Sequence, residues 1–197
     1  MAVTALVAIA DGSEDLEAVA VIDTLRRGKV DVTVASVGRS TTITAANKTK
    51  IVADVLIEDA SQTFDLIVLP GGMPGATHLH DSAPLTDKLK QQQKAGRWIG
   101  AICAAPAVVL QAHGLLDGRK AVAYPSFAEK LPAGVYQKGS GVVVSNKVVT
   151  AAGPGVAVDF GLTLVAALQG AKVAKEVAGG MLTEFKVPSV CDVQLQE

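Results

Sequence analysis

Short apolar runs alternate along the chain with longer stretches of helical spacing. Ala5 to Ala10 reads as a strand, Glu14 to Arg27 as a helix and Val30 to Ser36 as a second strand, together one βαβ unit. The helix is marked at both ends. Asp11 or Ser13 is placed to cap its start, Glu14 and Asp15 sit in the first turn, and Arg26, Arg27 and Gly28 mark its stop. A polar stretch, Thr41 to Lys50, precedes a short strand at Ile51 to Ala53. Asp65 to Pro70 is the next strand, Pro84 to Ala95 a helix, Trp98 to Cys103 a strand and Ala104 to His113 its helix. Lys120 to Ala123 and Lys147 to Ala151 predict two more strands, and Val156 to Leu168 the last helix. Ser126 to Ser145, rich in Gly and Pro, predicts an irregular excursion containing a hairpin. Nearly continuous apolar strands are strands buried on both faces. The pattern therefore predicts an α/β fold, a doubly wound parallel sheet sandwiched by helices, with a ligand site at the carboxyl ends of the strands.

Composition agrees with that class. The 197 residues are 49% hydrophobic, enough for one substantial core, so a single domain over 1–197 with a short tail from about residue 187 is expected. Only 4% are aromatic, which suits close packing of helices on a parallel sheet. A formal charge of −1 with no long basic run leaves no electrostatic footprint for nucleic acid or an anionic membrane surface. The opening run TALVAIA is too short to span a bilayer and lacks a basic leader, so a cytoplasmic protein is expected. Cys103 and Cys191 lie far apart and neither belongs to a CxxC pair, which argues against a disulfide framework and against zinc.

The candidate chemistry centres on Cys103, in RWIGAICAAPAVVLQAHG, where strand runs into helix with no intervening loop. A thiol at such a turn lies at the carboxyl edge of the sheet beside the first free N–H groups of the helix. Those dipoles favour thiolate and predict a pKa well below the reference of about 8.5. FDLIVLP runs into GGMPGA, which places Gly71, Gly72 and Gly75 at another strand end. Gly72 N–H, with the N–H of Ala104, has the makings of an oxyanion hole; the plainer reading is a tight turn. Glu17 starts the first helix at the same sheet edge and is a candidate acid beside the sulfur, although the residues alone favour an exposed helix-start carboxylate, a reading that fits Glu14 and Asp15 at least as well. TAAGPGVAVDFG matches neither nucleotide-binding glycine pattern and reads as a turn with a proline-assisted helix start. His78 and His80 fall in a predicted loop and His113 near a helix end, with no cofactor or metal site implied. Cys191 follows a proline in the tail and reads as surface packing or an arm on a neighbouring element.

LVAIADGSEDLEAV, DLIVLPGGMPGA, GAICAAP and TAAGPGVAVDFGL, in this order over nearly the whole chain, resemble the ThiJ/PfpI superfamily, in the branch of the parkinsonism-associated protein deglycase and its bacterial relatives. The resemblance implies a flavodoxin-like sandwich related to class I glutamine amidotransferases, usually a homodimer. It makes Cys103 the nucleophilic, oxidation-sensitive cysteine, held at positive φ, with Glu17 its protonated partner. The backbone at Gly72 and Ala104 then supplies the oxyanion donors, and Arg27 falls where relatives place an arginine near the dimer contact and pocket. The activity implied is cofactor-independent turnover of small reactive aldehydes or glycated adducts. The alternative is a redox-sensing stress chaperone whose cysteine becomes sulfinate. Two residues depart from the superfamily: hydrolase-like members have His where Ala104 stands, and Tyr124 occupies a position where many deglycase-branch members carry His. A Cys-His hydrolytic pair is therefore unsupported, and peptidase activity with it.

Overall fold

The computed structural model describes residues 2–192 and 195. Strands β1 (Thr4–Ile9), β2 (Asp31–Ser36), β5 (Val55–Leu56), β6 (Leu66–Leu69), β7 (Trp98–Ile102), β8 (Val142–Ser145), β9 (Val148–Ala151) and β10 (Val190–Cys191) form one sheet. Its order is β10-β8-β9-β7-β6-β1-β2-β5, and β3 (Thr42–Thr44) and β4 (Lys50–Val52) form a separate antiparallel pair. All neighbours in the large sheet run parallel except β8 and β9. Those two are joined through Asn146 and Lys147 at φ 43° and 66°, the left-handed pair that a two-residue hairpin turn requires. The expected hairpin thus has one strand inside the Gly/Pro-rich excursion and one beyond it.

The pleat divides β1 between two cores. Ala5, Val7 and Ile9 pack with α1 (Asp15–Arg27), α4 (Ala157–Gln169) and α5 (Ala171–Gly180) on one face. Leu6, Ala8 and Ala10 pack on the other with α2 (Gly75–Asp81), α3 (Ala83–Lys94) and a π-helical turn at Pro106–Gln111. Each β1 side chain from Ala5 to Ile9 is fully buried, which is why no polar position interrupts the strand. The chain winds one way from β1 to β2 and the other from β1 to β6, so the turns after β1, β6 and β7 share one carboxyl edge.

Several expectations are corrected. Lys120 to Ala123 makes only an isolated bridge, Ala121 to Tyr136, because nearby main-chain donors go to side chains: Lys120 N–H to Ser145 Oγ and Val122 N–H to Thr150 Oγ1. The polar stretch at 41–50 contains β3 and the start of β4. Neither Asp11 nor Ser13 caps α1: Asp11 accepts the Thr44 N–H, Ser13 accepts that of Ala10, and Glu14 holds the cap position without a side-chain bond. His78 and His80 lie on α2, too short to show a helical period. The segment after Cys103 winds as a π turn opened by Pro106, not as an α-helix over Ala104 to His113. Cys191 forms the edge strand beside Val144, the arm on a neighbouring element expected of it; residues 193, 194, 196 and 197 of the tail lie outside the described residues.

Candidate active site

Cys103 closes β7 with φ 64°. Both of its main-chain groups are committed: its N–H donates to Ala151 O at 2.9 Å, and its carbonyl accepts from Tyr124 N–H at 2.8 Å. These bonds to two neighbouring segments hold an L-residue in the left-handed region at a cost of about 1–2 kcal/mol. The side chain is left partly exposed at the sheet edge.

Glu17 reaches the same point from the first turn of α1. Its side chain is fully buried, Oε2 accepts the N–H of Gly71 at 2.8 Å, and the carboxyl group lies beside the Cys103 thiol, whose titration it perturbs. Among Glu14, Asp15 and Glu17, this is the acid that turns inward. Glu14 contacts the Asn47 side chain, and Asp15 accepts the main-chain N–H groups of Asn47 and Thr49. Gly71 lies between acid and thiol: a Cβ there would sit 2.6 Å from Cys103 Cβ and 3.0 Å from Glu17 Oε2. Gly72 follows at φ 83°, its absent Cβ facing Gly12 O at 2.4 Å, so the turns after β1 and β6 meet backbone to backbone. The N–H groups of Gly72 and Ala104 lie near enough to the sulfur to favour its ionised form.

The four residues Cys103, Glu17, Gly72 and Ala104 are therefore brought together. Gly71, which holds the acid, was recognisable in the sequence only as one glycine of a turn. Arg27 is not part of this cluster; it pairs with Asp23 on the exposed face of α1. His78 donates to Asp11 O, while His80 and His113 stack at 4.5 Å and His113 Nε2 also meets the His80 carbonyl. The Gly-Pro-Gly run opens a 3-10 turn, Pro154–Val156, that leads into α4. Among the described residues no group of three or more His, Cys, Asp or Glu is arranged to hold a metal ion, and no helix is long and apolar enough to cross a membrane. A hollow of about 560 Å³ between Asp11, Arg39, His78 and Asp81 includes neither Cys103 nor Glu17.

The electrostatics correct the expectation of a depressed thiol. Burial lifts Glu17 from 4.5 to about 7, against the opposing pull of the Gly71 and Cys103 hydrogen bonds. Burial, and then the charge of Glu17, push Cys103 from 9.0 up to about 12, and the N–H groups of Gly72 and Ala104 only partly offset this. The helix-end dipoles are present but outweighed while the neighbouring carboxylate is ionised. Acid and thiol titrate as a pair that holds two protons below about 7 and one between about 7 and about 12.

Fold and site define the class: an α/β sandwich of the flavodoxin-like type that presents a strained cysteine, backed by a buried acid, at the edge of its sheet. The DJ-1/PfpI family model matches residues 3–167, and the chain belongs to that family. It is 46% identical over 178 residues to Protein DJ-1 homolog B of Arabidopsis thaliana, a match covering 90% of this chain. The chain spans less than half the length of the two Arabidopsis relatives, 41% of homolog B and 46% of homolog A. The glutathione-independent glyoxalase DJR-1.2 of Caenorhabditis elegans is 39% identical over 163 residues, 81% of this chain and 85% of that protein. Among solved structures, oxidized Toxoplasma gondii DJ-1 superposes with a TM-score of 0.91 at 48% identity, covering 92% of this chain and 99% of that one.

Proposed function

We propose that the protein is a cofactor-independent enzyme for small reactive carbonyls, of the glyoxalase or deglycase type. The observation that carries this reading is the contact of Glu17 with the Cys103 sulfur, on which the Gly72 and Ala104 N–H groups also converge. A carboxylate with a pKa of about 7 is matched to accept the thiol proton at neutral pH. As the proton moves from Sγ to Glu17, the sulfur adds to the aldehyde carbon of methylglyoxal and the carbonyl pair becomes an oxyanion. The N–H groups of Gly72 and Ala104 are the donors available to it. Glu17 hands the thiol proton to that oxyanion, giving the hemithioacetal; ionised again, it takes the proton from the former aldehyde carbon and returns it to the neighbouring carbon while the hydroxyl proton passes to the other oxygen, leaving a thioester of lactate. Water hydrolyses the thioester, and lactate and the thiol are regenerated. The aldehyde carbon is oxidised and its neighbour reduced, so no external redox partner enters. The glyoxalase name of the Caenorhabditis elegans relative supports the reading.

Lactate formation from methylglyoxal tests it: the rate collapses in Cys103→Ala and falls strongly in Glu17→Gln, whereas unchanged rates in both variants overturn it. A homodimer is proposed with it, supported by Leu16 and Val19, half exposed on the outer face of α1. Sedimentation of the wild type against Leu16→Glu checks the assembly.

A second reading, a redox-sensing stress chaperone, is favoured by one atom. Oε1 of Glu17 is buried with no hydrogen-bond partner, so a protonated Glu17 has a donor to offer an oxygen added to the sulfur. Two equivalents of peroxide would convert thiolate to sulfinate with release of two waters. The oxidized state named for the Toxoplasma relative is in keeping with this. Suppression of client aggregation that appears only with Cys103 sulfinate would favour the sensor over the enzyme.

A further inference from the structure

The amino edge of the sheet, opposite the one that carries Cys103, has a hollow of about 170 Å³ between the end of α3, the start of β7 and the turn that joins β8 to β9. Three of the residues that line it are cations, Arg97, Arg119 and Lys147, and none is an acid. They come from three separate segments, and among the described residues none of them makes a salt bridge. Asp192 bonds the same turn, but its carboxylate accepts the Asn146 N–H at 2.8 Å and the Ser145 hydroxyl.

The contacts that position these cations leave donors over. Gln92 is 1% exposed, and its Nε2 donates to the carbonyls of Phe64 and Trp98 at 3.0 and 3.1 Å. Its Oε1 is thereby turned to accept Arg97 Nε at 2.9 Å. Half-buried Arg119 donates through Nε to Asn146 O at 3.3 Å and through Nη1 to Asp117 O at 3.1 Å. Lys147 Nζ lies 4.4 Å from the centre of the Trp98 ring. Both terminal nitrogens of Arg97, Nη2 of Arg119 and Nζ of Lys147 have no acceptor among the described residues. Like charges gathered around one small space repel one another, and an anion between them offsets that repulsion.

We propose that this hollow binds a phosphate group, of inorganic phosphate or of a small phosphate ester. Its volume of about 170 Å³ is below the roughly 300–1,000 Å³ that encloses a whole drug-sized ligand, so it takes the phosphate and leaves the rest of an ester in solvent. Arginine forks meet phosphate oxygens two at a time, which favours phosphate over chloride. A net charge of −1 and the lack of a long basic run give no extended track for nucleic acid. Arg97 precedes β7 and Cys103 follows it, about 20 Å apart, so the site is separate from the thiol and independent of the carbonyl reading.

The test titrates the full chain with inorganic phosphate and with ribose 5-phosphate at constant ionic strength, read by calorimetry and by amide NMR shifts. Saturable binding is expected, with shifts at Gly96, Arg97 and Lys147 and none at Cys103. Arg97→Gln and Arg119→Gln should each weaken it about tenfold, the size of a lost charge-assisted hydrogen bond, whereas Lys175→Gln, an exposed cation on α5, should not. Tighter binding of ribose 5-phosphate assigns the site to esters, and tighter binding of inorganic phosphate to the free anion. Absence of saturable shifts at those amides in the wild type overturns the proposal without any variant. Equal weakening by Lys175→Gln, or binding seen only with a mixed-sequence oligonucleotide, overturns it as well.

Discussion

The main-chain N–H of Gly71 donates to Oε2 of Glu17 at 2.8 Å, a contact that spans 54 residues of sequence. It joins the turn after β6 to the first turn of α1 and holds the acid against the thiol. A methyl group at Gly71 would lie 2.6 Å from Cys103 Cβ and 2.9 Å from Ala104 N, so it cannot enter without moving the site. Gly71→Ala is expected to cost about 2 kcal/mol of stability. It should also lower methylglyoxal turnover about a hundredfold, because displacement by an ångström is enough to spoil an aligned attack. Urea unfolding and lactate assays on the same preparation check both.

The shared proton sets the pH profile. Below about 7 Glu17 holds its own proton and cannot accept that of the thiol, so kcat/KM should rise with pH toward about 7 and then level off. In Glu17→Gln the neighbouring charge is gone, and Cys103 should ionise below its value of about 12, an effect read from ultraviolet thiolate absorbance. Turnover at neutral pH should nevertheless fall about a hundredfold or more, because the base is lost. A thiol that ionises at the same pH in both proteins would show that the two groups are not coupled.

Glu17 also makes stability depend on pH. Its folded pKa of about 7 exceeds the ordinary 4.5, so between these values the folded chain binds more protons than the unfolded one. Stability is greatest below 4.5 with respect to this group and is lost as pH rises to about 7, by about 3 kcal/mol for a fully buried acid. Thermal unfolding of Glu17→Gln should be less sensitive to pH across that window, with the variant gaining on the wild type as pH rises. Parallel pH profiles for the two proteins would contradict the assignment.

At φ 64° Cys103 stores backbone strain that glycine would not feel. Cys103→Gly is therefore expected to unfold at higher urea than Cys103→Ala, by about 1 kcal/mol, although alanine ordinarily outranks glycine. Both variants lack the sulfur, so the difference isolates the backbone. The reverse order would place the strain elsewhere.

Much of this arrangement was legible in the chain. β1, β6 and β7 are buried on both faces, and their uninterrupted apolar runs record it; α1 carries its acidic start and its Arg26, Arg27 and Gly28 stop in plain view. Elements without a local period were not legible. α2 spans Gly75 to Asp81, too short for a helical repeat beside its glycines and proline, and α5 has only ten residues. Lys120 to Ala123 has a strand's composition, but Ser145 and Thr150 side chains take the hydrogen bonds a ladder would have used.

The sequence by itself determined the parallel α/β class and the position of Cys103 at a strand end, because burial on both faces and an abrupt strand-to-helix change are local properties that alternate with the chain. Only the tertiary structure decided which of three neighbouring acids meets the sulfur, that Gly71 holds it, and that the Tyr124 N–H holds the Cys103 carbonyl. It also reversed the expected direction of the Cys103 pKa. Dipoles at a turn can be read from a motif, whereas desolvation and the charge of Glu17 arise only when segments distant in sequence are packed around the same atom.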